Sequence, residues 1–181
     1  KTFNAVLVLP PDHPVVQRKN TKTSIDLKRA MAACCQCTYC TDLCPRALLG
    51  HPIDPAHFML VASHAMEKEP YLDAAFCSSC GLCEMYSCGQ GLSPRTLLTA
   101  AKAENRAQGL KPENKKGEGV SKARRYRRVP MKRLAARIGV DKYNKTAPML
   151  DDEINPKTVT IMLSQHIGAP AKPVVKPGDE V

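Results

Sequence analysis

The 181-residue chain has no Trp, three Phe and five Tyr, so aromatics make up 4% of it although its apolar content is an ordinary 43%. Aromatic side chains bury the largest areas, and a chain this poor in them builds a thin core unless something else holds it together. No apolar run approaches the roughly 18 residues that a membrane span needs, because His or charge interrupts each one. The start carries no basic, apolar and small-residue series of a secretory leader, so a cytoplasmic protein is expected. There is no Gly-rich strand–turn–helix fingerprint, so these residues are not expected to hold a flavin or a nicotinamide and do not by themselves oxidise NADH. The chain opens on Lys1 rather than Met and both ends read as cut within an element, which suggests a piece of a longer polypeptide. Cysteine too is missing from most of the sequence: all nine lie between 34 and 44 or between 77 and 88.

Those two bursts organise the rest. Cys34, Cys37, Cys40 and Cys44 are followed by Pro45, the C-x2-C-x2-C-x3-C-P run of two-cluster ferredoxins. Cys77, Cys80, Cys83 and Cys88 repeat it with a last gap of four residues, and Gly89 stands where the proline would be. Two intervening residues let the backbone curl so that three sulfurs converge, and the tight loop leaves the fourth to come from elsewhere. In two-cluster ferredoxins the fourth cysteine of each run ligates the other cluster. Cluster I is therefore assigned to Cys34, Cys37, Cys40 and Cys88, and cluster II to Cys77, Cys80, Cys83 and Cys44. The alternative is a zinc-binding structural or interaction module, although zinc sites usually present separated cysteine pairs instead of repeated triplets. A disulfide framework fits less well, because the count is odd and the cysteines are crowded. Cys35, inside the first loop, reads as a small buried thiol, with a substitute ligand or redox-active thiol as the other reading.

The formal charge is +10. Two oxidised clusters of about −2 each would leave the loaded chain near +6. Much of the excess sits at 111–133, where ten Lys or Arg face only Glu113 and Glu118. With one aromatic, Tyr126, and no binding module, this stretch reads as a linker or a docking face for an acidic partner, and no nucleic acid is expected. Residues 4–9 read as a buried strand and 12–24 as a polar connector. Ser24 or Thr23 would cap a helix over 25–33, with Asp26 suiting its dipole. A helix is expected after Pro55 and a helical turn over 71–76. Another helix should be capped by Ser93, begun by Pro94 and stopped at Gly109, its positive end favouring a reduced cluster nearby. A further helix should start at Pro130 and close at Gly139. TVTIML at 158–163 reads as a strand, with a turn at Pro177–Asp179. His51, His57 and His64 read as packing or hydrogen-bonding residues, since eight cysteines already complete two sites.

CCQCTYCTDLCPRALLGH, CGLCEMYSC with GLSPR, YRRVPMKRLAARIGVDKYNKTAP and LSQHIGAPAKPVVKPGDEV together resemble the cobalamin reductase family of propanediol-utilisation microcompartments. More distantly they resemble the RnfC component of the Rnf electron-transport complex. The likeness implies two [4Fe-4S] clusters on the eight cysteines, with FMN and NADH bound only in an N-terminal part outside these residues. It also implies a redox protein partner, either a flavoprotein or an enzyme of the cobalamin adenosyltransferase kind, with peripheral association with a membrane complex as a further option. The expected location is cytoplasmic, inside a microcompartment if that branch of the family applies. The expected fold class is α+β: a helical two-cluster ferredoxin module at 23–109, preceded at 1–22 by the tail of a β-grasp domain. A basic linker follows at 110–129, then a helix and a partial barrel-sandwich segment at 130–181. The function expected is relay of electrons from a reduced flavin to cobalamin or another low-potential acceptor.

Overall fold

Proline and polar residues set where the helices of this chain begin. The computed structural model describes residues 7–63, 70–113, 117–146, 148–149, 151, 153, 155–164 and 168–180. It divides into two compact units, Pro10–Asn144 and Lys1–Leu9 with Lys145–Val181. No helix among the described residues is long and apolar enough to cross a membrane.

In the larger unit α1 spans Pro14–Asn20, inside the stretch that reads as a polar connector. His13 explains it: the Nδ1 atom accepts from the Val15 amide at 3.3 Å, and Pro14 has no amide to satisfy at the first helical position. Helix α2, Thr23–Ala33, begins earlier than expected, with Lys22 at the cap and no side-chain cap bond, so Thr23 and Ser24 already lie within the helix. Two four-residue helices follow, α3 at Tyr39–Asp42 and α4 at Pro45–Leu48. The next helix, α5 at Pro55–Ser63, is capped by Asp54, whose Oδ1 accepts from the amides of Ala56 and His57 at 3.0 Å each. A 3-10 turn at Leu72–Phe76 leads to the second burst, and α6 spans Pro94–Ala107. Gly109, at φ +70, closes α6 by bonding to Arg106. Helix α7 is Met131–Arg137, with Pro130 at its cap and Gly139, at φ +71, at its end.

The core lies where α2, α5 and α6 meet. Ala30, Phe58, Met59, Ala74, Leu92, Leu97 and Leu98 are buried together, and Cys34, Cys77 and Cys88 pack against them. Ala30, without a bulky side chain, lets α2 approach its neighbours closely. Met59, Leu97 and Leu98 each contribute about 2 kcal/mol by leaving water, and Phe58 is the one aromatic ring among these buried residues. This is the thin core that the composition implies. Because it is thin, polar contacts across it carry more weight. Asp26 is 1% exposed and accepts from the Ser93 hydroxyl at 2.9 Å. Both residues stand where expected, Asp26 in the first turn of α2 and Ser93 at the N-cap position of α6, but the Ser93 hydroxyl makes no cap bond and ties α6 to α2 instead.

The smaller unit corrects the expected strands. Residues 4–6 of the first lie outside the described residues, and 7–9 have no sheet partner. Residues 158–163 form no ladder either; one bond, from the Ala171 amide to the Leu163 carbonyl at 2.8 Å, links them to the following segment. A strand is stable only when a neighbouring backbone takes its amides and carbonyls. None does so among the described residues, and Val159, Ile161 and Val174 stay exposed. The turn at Pro177–Gly178 is formed, with the Lys176 amide bonded to Asp179 Oδ2 at 2.7 Å.

Within the larger unit the basic stretch is held against residues 42–50 at a point where only glycine fits. The Ser121 amide bonds to the Leu48 carbonyl at 3.0 Å and the Glu118 amide to the Gly50 carbonyl at 3.2 Å. Arg127 pairs with Asp42 at 3.2 Å. A Cβ on Gly50 would stand 2.1 Å from the Gly119 carbonyl oxygen, and Gly50 has φ +84. Gly50→Ala is expected to release residues 117–129, with a stability loss above about 1 kcal/mol. Faster trypsin cleavage after Lys122 to Arg128, at unchanged helical circular dichroism, is the outcome to look for.

Candidate metal centre

The two cysteine loops are one backbone design used twice. In the first, Gln36 and Thr38 take the left-handed conformation, at φ 55 and 62; in the second, Ser79 and Gly81 do, at φ 57 and 82. Both pairs stand at the same offsets, two residues after the first cysteine of the run and one after the second. Each left-handed residue turns the chain sharply inward, and outside glycine it costs about 1 kcal/mol or more. A β-branched Thr38 there means the loop is over-determined by its surroundings. Past the third cysteine the loops part. Tyr39–Asp42 is α-helical, whereas Cys83–Ser87 is a π turn closed by the Cys88 amide on the Cys83 carbonyl at 3.2 Å. The wider turn takes up the one extra residue of the second run, so the longer gap and the missing proline still deliver Cys88 to a comparable place.

The cysteines then sort into two cavities. Cys34, Cys37, Cys40 and Cys88 line the first, with Cys35 and apolar Ala56, Met59, Leu92 and Pro94. Cys44, Cys77, Cys80 and Cys83 line the second, with Pro45, Ile53, Pro55, Leu98 and the guanidinium-bearing Arg95. Each cavity thus draws its fourth cysteine from the other loop. Cys44 and Cys83 are buried; Cys37 and Cys80, the middle cysteines, are exposed. Cys35 is exposed as well, which corrects the buried packing expected of it. It stands at the open side of the first cavity, among the residues that line it. Among the described residues no three His, Cys, Asp or Glu side chains converge on a single-ion site.

Burial sets the state of the metal-free thiols. Burial pushes Cys40 up to about 12, with Cys37 and Cys34 adding to the rise and backbone amides opposing it. Cys44 and Cys83 are raised by burial too, and Cys83 is raised further by Glu84. The Ser79 amide donates to Cys77 Sγ and the Leu92 amide to Cys88 Sγ, both at 3.4 Å. In a loaded site such donors favour the more negative reduced state.

Several side chains that sequence reasoning missed surround the cavities. Glu84, 2% exposed, pairs with Arg95 at 2.5 Å and accepts from the Thr96 amide and hydroxyl at 3.0 and 3.1 Å. It is the carboxylate cap of α6, and its charge opposes the dipole expected to act there alone. Lys102 Nζ donates to the Cys77 carbonyl at 2.8 Å, and Arg137 Nη2 to the Cys88 carbonyl at 3.4 Å. Arg18 reaches the Glu84 carbonyl at 2.6 Å. No spacing rule could have found these pairs, since the partners lie far apart in sequence. Neither cavity is lined by His51, which bonds to Arg46 at 3.1 Å, nor by His57, which tilts against Tyr71. His64 lies outside the described residues.

Residues 33–93 match the family model of the 4Fe-4S dicluster domain, and residues 138–181 match that of the RnfC barrel sandwich hybrid domain. Over its whole length the chain is 39% identical to the cobalamin reductase PduS of Salmonella typhimurium and 35% identical to that of Citrobacter freundii. The chain is a homologue of the cobalamin reductases. It spans 40% of the length of each of these relatives, and no solved structure matches it. With a 4Fe-4S dicluster domain laid over both cysteine loops, the role of this cobalamin reductase homologue is iron–sulfur electron transfer.

Two outcomes follow for the homologue's site. Cluster binding demands thiolates, so if Cys40, Cys44 and Cys83 are ligands, loading would expel the protons that burial retains on them. Anaerobic reconstitution is expected to release protons and to proceed further as pH rises from about 7 towards about 9, because lower proton activity favours the ionised ligands; a pH-indicator dye in weak buffer measures the release. Glu84→Gln leaves Arg95, itself 30% exposed, without its counter-charge. Stability is expected to fall by about 2 kcal/mol, and the potential of the site beside Cys83 to rise, as read by denaturant titration and EPR-monitored redox titration.

Proposed function

We propose that this chain is an electron-transfer module holding two [4Fe-4S] clusters, one on Cys34, Cys37, Cys40 and Cys88 and one on Cys77, Cys80, Cys83 and Cys44. It relays single electrons from a reduced flavin to cobalamin or another low-potential acceptor. The observation that carries this reading is the exchange of fourth cysteines between two apolar-walled cavities. Four soft thiolates around an apolar space suit a cubane bonded at its corners. Zinc sites usually present separated cysteine pairs, whereas here three cysteines repeat at one spacing twice. When bound, the clusters supply one-electron chemistry. The protein's own residues hold the thiolates, exclude water with Met59, Leu92 and Leu98, and place the positive groups of Arg95, Lys102 and Arg137 around the cysteines.

The remaining assignments rest on the relatives' name and on the second domain match. We place the dicluster domain at 23–109, the end of a β-grasp domain at 1–22, a basic connector at 110–129, and a helix with a contribution to a barrel sandwich at 130–181. The strands of that sandwich would pair with sequence beyond these residues. FMN and NADH would bind there too, in a protein working in the cytoplasm and, by analogy with the relatives, in a propanediol-utilisation microcompartment. The redox partner would be a flavoprotein or an adenosyltransferase-like enzyme.

Anaerobically purified protein is expected to carry about eight irons and a dithionite-reduced EPR signal broadened by coupling between neighbouring clusters. Cys44→Ala should lose the same cluster as Cys80→Ala, and Cys88→Ala the same cluster as Cys37→Ala, each retaining about four irons and an unbroadened signal. Two zincs and no signal would overturn the electron-transfer reading; Cys44→Ala matching Cys37→Ala would overturn the exchange of ligands alone.

A further inference from the structure

A recess beside the first cavity carries an assignment of its own. It is lined by Tyr39 and Leu43 of the α3 region, Tyr86, Ser87 and Gly89 around the π turn, and Arg133 and Arg137 of α7. Tyr39 precedes Cys40, and Ser87 and Gly89 flank Cys88, so the recess floor is one residue from two cysteines of the first cavity. Arg137 is fixed in it twice, by its bond to the Cys88 carbonyl at 3.4 Å and by lying over the Tyr86 ring at 5.8 Å. Tyr39 is 54% exposed at the recess, and Met131, on the same helix as Arg133, is 74% exposed.

The charged side chains that line the recess, Arg133 and Arg137, are both positive. From 119 to 140 there are eight Lys or Arg and no Asp or Glu. Arg127 is paired with Asp42, but Arg128, Lys132 and Arg133 are exposed and make no ion pair among the described residues. Unpaired cations around an aromatic-lined concavity favour an anionic surface as occupant and steer it there over distances of about a Debye length. Tyr and Arg are also the side chains that most often anchor protein interfaces.

Resting on the electron-transfer reading above, we propose that this recess is the docking face for an acidic redox protein, which exchanges electrons with the site formed by Cys34, Cys37, Cys40 and Cys88. The partner's chemistry is a negatively charged surface around an exposed one-electron carrier. One electron leaves the reduced iron–sulfur site as the carrier gains one, and no bond is made or broken. A protein is favoured over a nucleic acid because the recess leads to cysteine ligands and not to a continuous groove that a phosphate backbone could follow.

The test uses the cluster-loaded protein and an acidic flavodoxin as probe, with Arg133→Glu compared against Arg106→Glu, an equal charge reversal near the far end of α6. Calorimetric binding should weaken about tenfold for Arg133→Glu and by less than about twofold for Arg106→Glu, and it should weaken with salt in the wild type. Electron transfer to flavodoxin should slow in parallel, while transfer to a small neutral quinone is unchanged. Flavodoxin should also shield the Lys132 and Arg133 bonds from trypsin. Equal weakening by both reversals, or none by Arg133→Glu, overturns the proposal. So does Arg133-dependent binding of a single-stranded oligonucleotide without an Arg133 effect on flavodoxin. Iron content and the EPR signal are measured first on each protein, so absence of clusters is scored against the electron-transfer reading and not against the docking face.

Discussion

Neither cavity of this protein can gather four thiols from its own loop. The left-handed turns bring three sulfurs around one space, and the direction in which they leave carries the chain away, so Cys44 ends among Cys77, Cys80 and Cys83, and Cys88 among Cys34, Cys37 and Cys40. The helices answer to that requirement. The short α3 and the π turn set the span from third to fourth cysteine, while α2, α5 and α6 fill the space that remains between the loops. Metal bonds to both loops can supply cohesion that a core with few aromatics does not.

Charge balance is the second constraint. Glu84 is buried beside Cys83, a costly place for a carboxylate, yet its pairing with Arg95 and its bonds to Thr96 satisfy it and fix the start of α6 between the two cavities. Between α2 and α6 the Ser93 hydroxyl donates to Asp26 Oδ1, while Asp26 Oδ2 is buried without a hydrogen-bond partner. These buried polar contacts orient helices whose apolar faces are too small to orient themselves, which is the setting in which polar specificity outweighs its desolvation cost.

Local chemistry is readable from the residues, and distant pairing is not. The cysteine spacing anticipates the sorting into two cavities, because sulfur convergence depends on a few neighbouring backbone angles. Proline marks the beginnings of α5, α6 and α7, and glycine the ends of α6 and α7, for the same reason. Ser93 does stand at the N-cap of α6, but the partner its hydroxyl takes, Asp26, lies in another helix and no local pattern reveals it. The helix at Pro14–Asn20 is masked by its polar composition, although His13 before Pro14 is a usable start signal. Cys35 has the size and polarity of a packing thiol, yet it is exposed at the rim of the first cavity. Alternating Val, Thr and Ile at 158–163 mark residues suited to a sheet, but suitability does not supply the neighbouring strand.

The matched left-handed positions of the two loops, Gln36 with Ser79 and Thr38 with Gly81, make the loops two copies of one local design inside a single polypeptide. Each half lends its last cysteine to the other, as protomers do when they exchange an arm. A free half would be a three-thiol fragment with a dangling fourth, able to complete itself only on a second copy. Joining the halves in one chain turns an encounter between two molecules into a loop closure within one, so that four-thiol completion no longer depends on protein concentration.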